Sequence, residues 1–218
     1  MGIFDLLLIA SVLGTLGGAL IAIVLWIYGR RQNAKWILLI LGGYLTLYAV
    51  ALVATSIFSA QRQVPMGEQQ RFDDWCLCVE NVVYENDQST TRPENDGIVA
   101  VVTVEVSNRG RGRAQSEPGT FLYVVDDQGR TYWQSVQAQE EYERIHETSP
   151  LITSMISAGK SIVCKQVFEL PCDARHPEVI IGRPFGPGAF VIGDSDSFFH
   201  KKSVVPLPDL PPDMRSKR

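Results

Sequence analysis

Asp194, Ser195, Asp196, Ser197 and His200, within seven residues of GDSDSFFH, are the densest set of side chains in the sequence able to do chemistry. A calcium loop alternates oxygen ligands, and Asp194 and Asp196 begin that alternation. The glycine at the sixth loop position and the closing Glu are missing. A Ser-His-Asp triad normally draws its members from separate converging elements, and no nucleophile elbow is present. The cluster therefore reads as a turn with side-chain caps. His146 and His176 have no ligand spacing to a Cys, His or Glu pair, and HExxH, CxxC and a phosphate-cradling glycine loop are all missing. Cys76-Leu77-Cys78 is not a redox motif, and zinc would need Cys76, Cys78, Cys164 and Cys172 gathered from three segments. No catalytic residue, metal or cofactor is assigned, and the chain reads as a non-enzyme.

The elements that would position any site begin with GRRQNAKW, whose Arg30, Arg31 and Lys35 separate two apolar runs. Leu6 to Tyr28 gives 23 residues and Ile37 to Ala60 gives 24, all without formal charge; about 20 suffice to cross a bilayer. Short basic loops stay cytoplasmic, so residues 1–60 read as a transmembrane hairpin with both ends on the far side. Trp26, Tyr28 and Trp36 suit the head-group level of the cytoplasmic boundary. MGIFD has no cationic start, which disfavours a cleaved signal peptide, and Leu6 stands where myristoylation wants Ser or Thr. Ala10, Gly14, Gly18 and Ala22 recur every four residues, a small-residue stripe that closes the hairpin or supports a homo-oligomer.

Of 218 residues, 158 follow the hairpin, enough for one domain with its own core. Setting aside Asp5, Arg30, Arg31 and Lys35, the 20 basic and 24 acidic residues become 17 and 23, a formal charge of −6. That balance argues against nucleic acid and anionic lipid as partners of this part. Residues 61–71 read as a polar tether and 208–218 as a proline-rich, extended or disordered tail. Between them, short runs alternate apolar and polar residues: Trp75 to Tyr84, Ile98 to Ser107, Phe121 to Val125, Arg130 to Trp133, Ile162 to Leu170, Val179 to Ile181, Ala189 to Ile192 and Phe198 to Leu207. Asp126 to Gly129 offers the turn chemistry of a hairpin, and Ser135 to Thr148 a surface helix. About eight short strands with one minor helix describe an antiparallel β-sandwich over residues 72–207.

The succession WCLCVENVV, GIVAVVTVEVSNRGRG, FLYVVDDQGRTY and SAGKSIVCKQVFELP resembles the immunoglobulin-like domain of unknown function carried by many bacterial lipoproteins and membrane-anchored proteins. That family is similar in fold to secreted immunoprotective antigens. The resemblance covers roughly Phe72 to Leu207 and rests on the valine strand ending at Asn108, the Asp126 to Gly129 turn and the FELP ending at Pro171. It implies an all-β immunoglobulin-like sandwich behind a helical anchor, and it brings no catalytic residues. FGPGAFVIGDSDSFFHKKSVVPL departs from a minimal member and reads as an added or altered edge. Together these features describe a protein of the bacterial inner membrane whose outer domain binds an envelope protein or surface ligand. The alternative is an accessory or sensor subunit acting through the hairpin. A membrane-anchored hydrolase, resting on Asp194 to His200 alone, comes last.

In an oxidising compartment the four cysteines can pair. Cys76 with Cys78 is the poorest pair, because along one strand their Cα atoms lie about 6.5 to 7 Å apart, at or beyond the usual limit. Antiparallel ordering then favours Cys76 with Cys172 and Cys78 with Cys164, with buried free thiols as the alternative.

Overall fold

The structure, a computed structural model, describes residues 3–72, 74–85, 97–184, 186–194 and 196–215; Ser195 of the polar cluster and most of the loop after Glu85 lie outside them. The chain divides into two compact units, Met1–Gln61 with Phe185–Lys202, and Arg62–Pro184 with Ser203–Arg218.

In the first unit, α1 (Ile3–Ile27) and α2 (Arg31–Ile57) are each long and apolar enough to cross a membrane. Their leucines stay uncovered: Leu13, Leu16, Leu39 and Leu47 are each 64 to 69% exposed. The face that α1 turns inward carries Ser11, Thr15, Gly18 and Ala22. A methyl group on Gly18 would come within 3.0 Å of Leu41. Ala10 is exposed and Gly14 has open space around it, so only half of the predicted small-residue stripe faces α2. The reason is angular. Four-residue steps advance 400°, so a strict i+4 series drifts off any face, whereas spacing that alternates four and three stays on it.

The second unit is a β-sandwich. Among the described residues one sheet has the order β1-β2-β3-β6, built from Gln69–Phe72, Trp75–Glu85, Ile98–Asn108 and Ser161–Leu170. The other has the order β5-β4-β7-β8, built from Thr131–Trp133, Phe121–Val125, Glu178–Gly182 and Val204–Pro206. All six strand pairings are antiparallel. Alternation sets the layers: Ile98, Ala100, Val102, Val104 and Val106 of β3 face a core shared with Trp75, Leu77, Leu122, Val124, Phe168 and Val179. A bulge between Val79 and Asn81 lets β2 keep Val82 in that core after Val79.

Several predicted segments are placed differently. The expected tether 61–71 belongs, from Arg62 onward, to the sandwich: Val64 is buried in the core and Gln69–Phe72 pairs with β2. In the expected tail, Leu210 is buried and Met214 packs on the core from the short α4 (Pro212–Arg215). The strand expected at Ala189 to Ile192 is a 3-10 turn, Pro187–Phe190, and Phe198 to Leu207 yields only the three residues of β8. Apolar content without alternation over four or more residues does not hold a strand in place.

The helix α3 (Val136–Ile145) forms where expected, capped by Ser135, whose side chain accepts from the Ala138 amide. It buries Ala138 and Tyr142 against Val99, Val101 and Val167 on the outer side of the first sheet. Its Gln139 serves the edge of β6 as a neighbouring strand would. The side-chain oxygen accepts from the Val167 amide at 3.0 Å and the side-chain nitrogen donates to the Lys165 carbonyl at 3.2 Å. Such capping blunts an edge open to foreign strands. Gln139→Ala is expected to cost about 1–2 kcal/mol and to speed hydrogen exchange at the Val167 amide. Unchanged exchange there would show that Gln139 does not protect the edge.

Candidate binding surface

The four cysteines do not come together. β3 lies between β2 and β6, so those two run parallel to each other, against the antiparallel ordering expected from sequence. Two strand spacings separate them, about 9.6 Å, beyond the roughly 7 Å limit of a disulfide. Cys164 faces the core, in register with Val104 and Val79, whereas Cys78 sits opposite Glu105 on the other face. Cys76 lies at the Ser107 end of the sheet and Cys172 follows the Leu170 end, about 30 Å away along the strand. The structure does not support the predicted Cys76–Cys172 and Cys78–Cys164 bridges: all four cysteines are free thiols. Burial pushes the Cys164 thiol up to about 11. Burial, then the charges of Glu80 and Glu105, raise Cys78 as well. Iodoacetamide at pH 8 is expected to spare Cys164 in the folded protein and to modify all four cysteines after unfolding without reductant. A cross-linked peptide in the digest would contradict this.

Asp194 caps its own turn, its carboxylate accepting from the Asp196 amide at 2.8 Å, while Asp196 meets Lys202 at 3.5 Å. His200 has its ring Nδ1 at 2.9 Å from the Lys201 carbonyl. His146 stacks on Tyr142 at 4.2 Å, and His176 lies 3.3 Å from Asp209. Among the described residues no three His, Cys, Asp or Glu side chains gather as a metal site. Arg30, Arg31 and Lys35 stand at the α1–α2 turn, with Arg31 over the Trp26 ring at 5.8 Å.

The feature that the sequence reading missed lies on the outer face of the second sheet. Phe121 and Tyr123 alternate with the core residues Leu122 and Val124, and the hairpin register sets Tyr123 opposite Trp133. The three rings touch one another, with centroids 5.4 Å (Phe121–Trp133), 5.2 Å (Tyr123–Trp133) and 6.0 Å (Phe121–Tyr123) apart. Trp133 is 60% and Phe121 39% exposed, unusual for large aromatic rings. Burial raises the Tyr123 phenol, which stays neutral at physiological pH. Gly182, the cross-strand partner of Phe121, is part of the platform: a methyl group there would collide with the ring. The signal was available, since F-x-Y on one strand of a tight hairpin and Trp on the other place three rings on one face.

Asp126 holds this hairpin. Its buried carboxylate accepts from the Gln128 and Arg130 amides at 3.0 and 2.9 Å, Arg130 Nε at 2.7 Å and the Tyr132 hydroxyl at 2.9 Å. Gly129, at φ 75°, supplies the left-handed residue that closes the turn. Burial alone would raise the Asp126 carboxyl, but the hydrogen bonds from Arg130 and Tyr132 outweigh it and hold the group below its ordinary range. Exposed Asp173, paired with Arg130 at 3.1 Å, is also held low, first by that hydrogen bond.

A cleft of about 810 Å³ in the sandwich is lined by Phe72, Asp74, Trp75, Arg113, Gln115 and Glu117 among others. Buried Asn108 shapes its rim, donating to the Arg113 and Ile156 carbonyls at 3.0 and 2.9 Å and accepting from the Gly110 amide at 2.8 Å. The cleft mixes both charge signs without a convergent set, so the aromatic platform is the more specific surface.

No family model matches the chain, and no curated protein matches it. Solved structures are similar in shape at low identity. A conserved hypothetical protein from Bacillus anthracis aligns at 16% identity over 54% of this chain and 88% of its own, with a TM-score of 0.44. An uncharacterized beta-sandwich protein from Clostridium difficile aligns at 10% over 69% and 96%, with a TM-score of 0.43. The secreted protein MPT63 from Mycobacterium tuberculosis aligns at 10% over 68% and 98%, with a TM-score of 0.44. The β-sandwich of the present chain rests on its own strand register.

Proposed function

We propose that this protein is a membrane-anchored binding module: two transmembrane helices hold an immunoglobulin-like domain on the extracytoplasmic side, and the Phe121–Tyr123–Trp133 face contacts a surface ligand. The observation that carries this reading is the exposed three-ring platform on a rigid sheet. Contiguous exposed apolar surface on a rigid scaffold marks interaction sites, and tryptophan and tyrosine dominate binding energies where they occur. The strand order supports the immunoglobulin-like assignment. β2, β3 and β6 take the A-B-E places of one sheet, β4, β7 and β8 the C-F-G places of the other, and β5 a C′ place, with α3 where strand D would run. The uncovered leucines of α1 and α2 support the anchor, because a soluble helix hides such residues.

The platform carries no formal charge, which suits a neutral ligand presenting an apolar ring face, as sugar rings do. In co-sedimentation of the full-length protein in detergent with isolated peptidoglycan, the wild type is expected to pellet. Trp133→Ala is expected to weaken this by roughly tenfold or more. Gly182→Ala, which forces the Phe121 ring aside while leaving the core intact, is expected to weaken it as well. Sedimentation that neither substitution changes would remove the platform from the function. A second reading, an accessory subunit acting through the hairpin, is favoured by the Phe185–Lys202 segment belonging to the same compact unit as the helices.

A further inference from the structure

The segment between β7 and β8, from Gly186 to Lys202, leaves the sandwich and packs on the helical hairpin. Tyr48 donates to the Phe190 carbonyl at 2.8 Å, the Ser56 and Ser197 hydroxyls share a buried bond of 2.9 Å, and Gly193 lies against Thr55. These contacts run down α2 from Ser56 to Tyr48. Tyr48 is nine residues from Ile57, about 13 Å along the axis. The 27 residues of α2 span about 40 Å, roughly 10 Å more than the hydrocarbon core of a bilayer. Even with the whole excess standing outside the membrane, the level of Phe190 is about 3 Å within the hydrocarbon.

The segment is built for that depth. Phe190, Phe198 and Phe199 are 45, 39 and 71% exposed, and Lys201 and Lys202 follow one residue later, after His200, the aromatic-then-cationic order of a membrane interface. Beneath Phe190 runs a groove of about 780 Å³, walled by Leu8, Val12, Leu16, Leu45 and Tyr48. Its hydroxyls are already engaged. Ser11 bonds the Leu7 carbonyl and Tyr44, Thr15 donates to the Ser11 carbonyl, and Tyr48 to Phe190. The groove therefore offers hydrocarbon contact and little else, and it is continuous with the uncovered leucine surface of the helices.

We propose that Gly186 to Lys202 inserts into the outer leaflet and that Phe190 roofs a groove occupied by one phospholipid acyl chain, the two lysines standing at the phosphate level. This rests on the membrane-spanning reading of α1 and α2. The test uses the full-length protein in nanodiscs of phosphatidylcholine and phosphatidylglycerol at 3:1, with Cys172→Ser as background. Spin labels go one at a time at Leu20→Cys, Phe199→Cys and, as an aqueous reference, Glu140→Cys. Phe199 is expected to show oxygen contact near that of Leu20, several-fold above Glu140. A Leu20 label in lipid with a Phe199 label in water overturns the inserted segment alone. Both in water overturns the membrane reading with it. Native mass spectrometry is expected to find one retained phospholipid on the wild type and none on Leu16→Trp, which fills the groove. Equal retention by both, or dimers without lipid, would overturn the acyl-chain site.

Discussion

Asp126→Ala is expected to destabilise the sandwich by about 2–4 kcal/mol in denaturant unfolding of the full-length protein. The cost has three parts: the lost acceptor, the Tyr132 hydroxyl and two amides left without it, and the release of Arg130, about a third of whose side chain is exposed. That exposure keeps the Arg130 contribution at the low end. Because the hairpin also carries Trp133, ligand binding should weaken together with stability. Acid gives an independent check. A carboxyl whose folded value lies below its ordinary 3.8 stabilises the fold above that pH, and the contribution fades as pH falls through the depressed folded value. The gap between wild type and Asp126→Ala should therefore narrow below about pH 4. A gap that is constant down to pH 2 would show that the carboxylate charge is not what stabilises the turn.

Phe168→Ala is expected to cost about 3–5 kcal/mol, by loss of transfer energy and by the cavity left behind. Phe168 has no solvent exposure, lies in the core, and has the small Ala100 as its cross-strand partner, so little beside it can collapse into the space. It also occupies the point where β6 meets the end of β5 through the Gln134 bridge. Phe168→Leu, which keeps most of the volume, should recover the greater part of the loss. If alanine costs under about 1 kcal/mol, the two sheets are not packed through this ring.

The strands with uninterrupted alternation were readable from sequence, and β3 is the plainest case: its five inward valine, isoleucine and alanine residues all reach the core. The Asp126 turn was readable too, because Asp and Gly at those positions have few other uses. Strand neighbours were not. Alternation fixes which face a residue takes and says nothing about which strand lies beside it, so β3 between β2 and β6 undid the cysteine pairing. Val64 and Leu210 were missed because a single apolar residue in a polar, proline-containing stretch has no period, and its burial depends on distant packing. The aromatic platform needed the Tyr123–Trp133 register, which local composition only suggests. GDSDSFFH drew attention as chemistry, yet its carboxylates cap a turn and meet a lysine.

An outer-face binding role requires the sandwich to lie outside the cytoplasm, and paired topology reporters measure its side directly. An export-dependent reporter joined after Arg71 and a cytoplasm-dependent reporter inserted at Asn33 are both expected to be active. Activity of the opposite reporter at each position would place the basic turn outside and the sandwich in the cytoplasm, and would contradict an outer-face binding module held by a two-helix anchor.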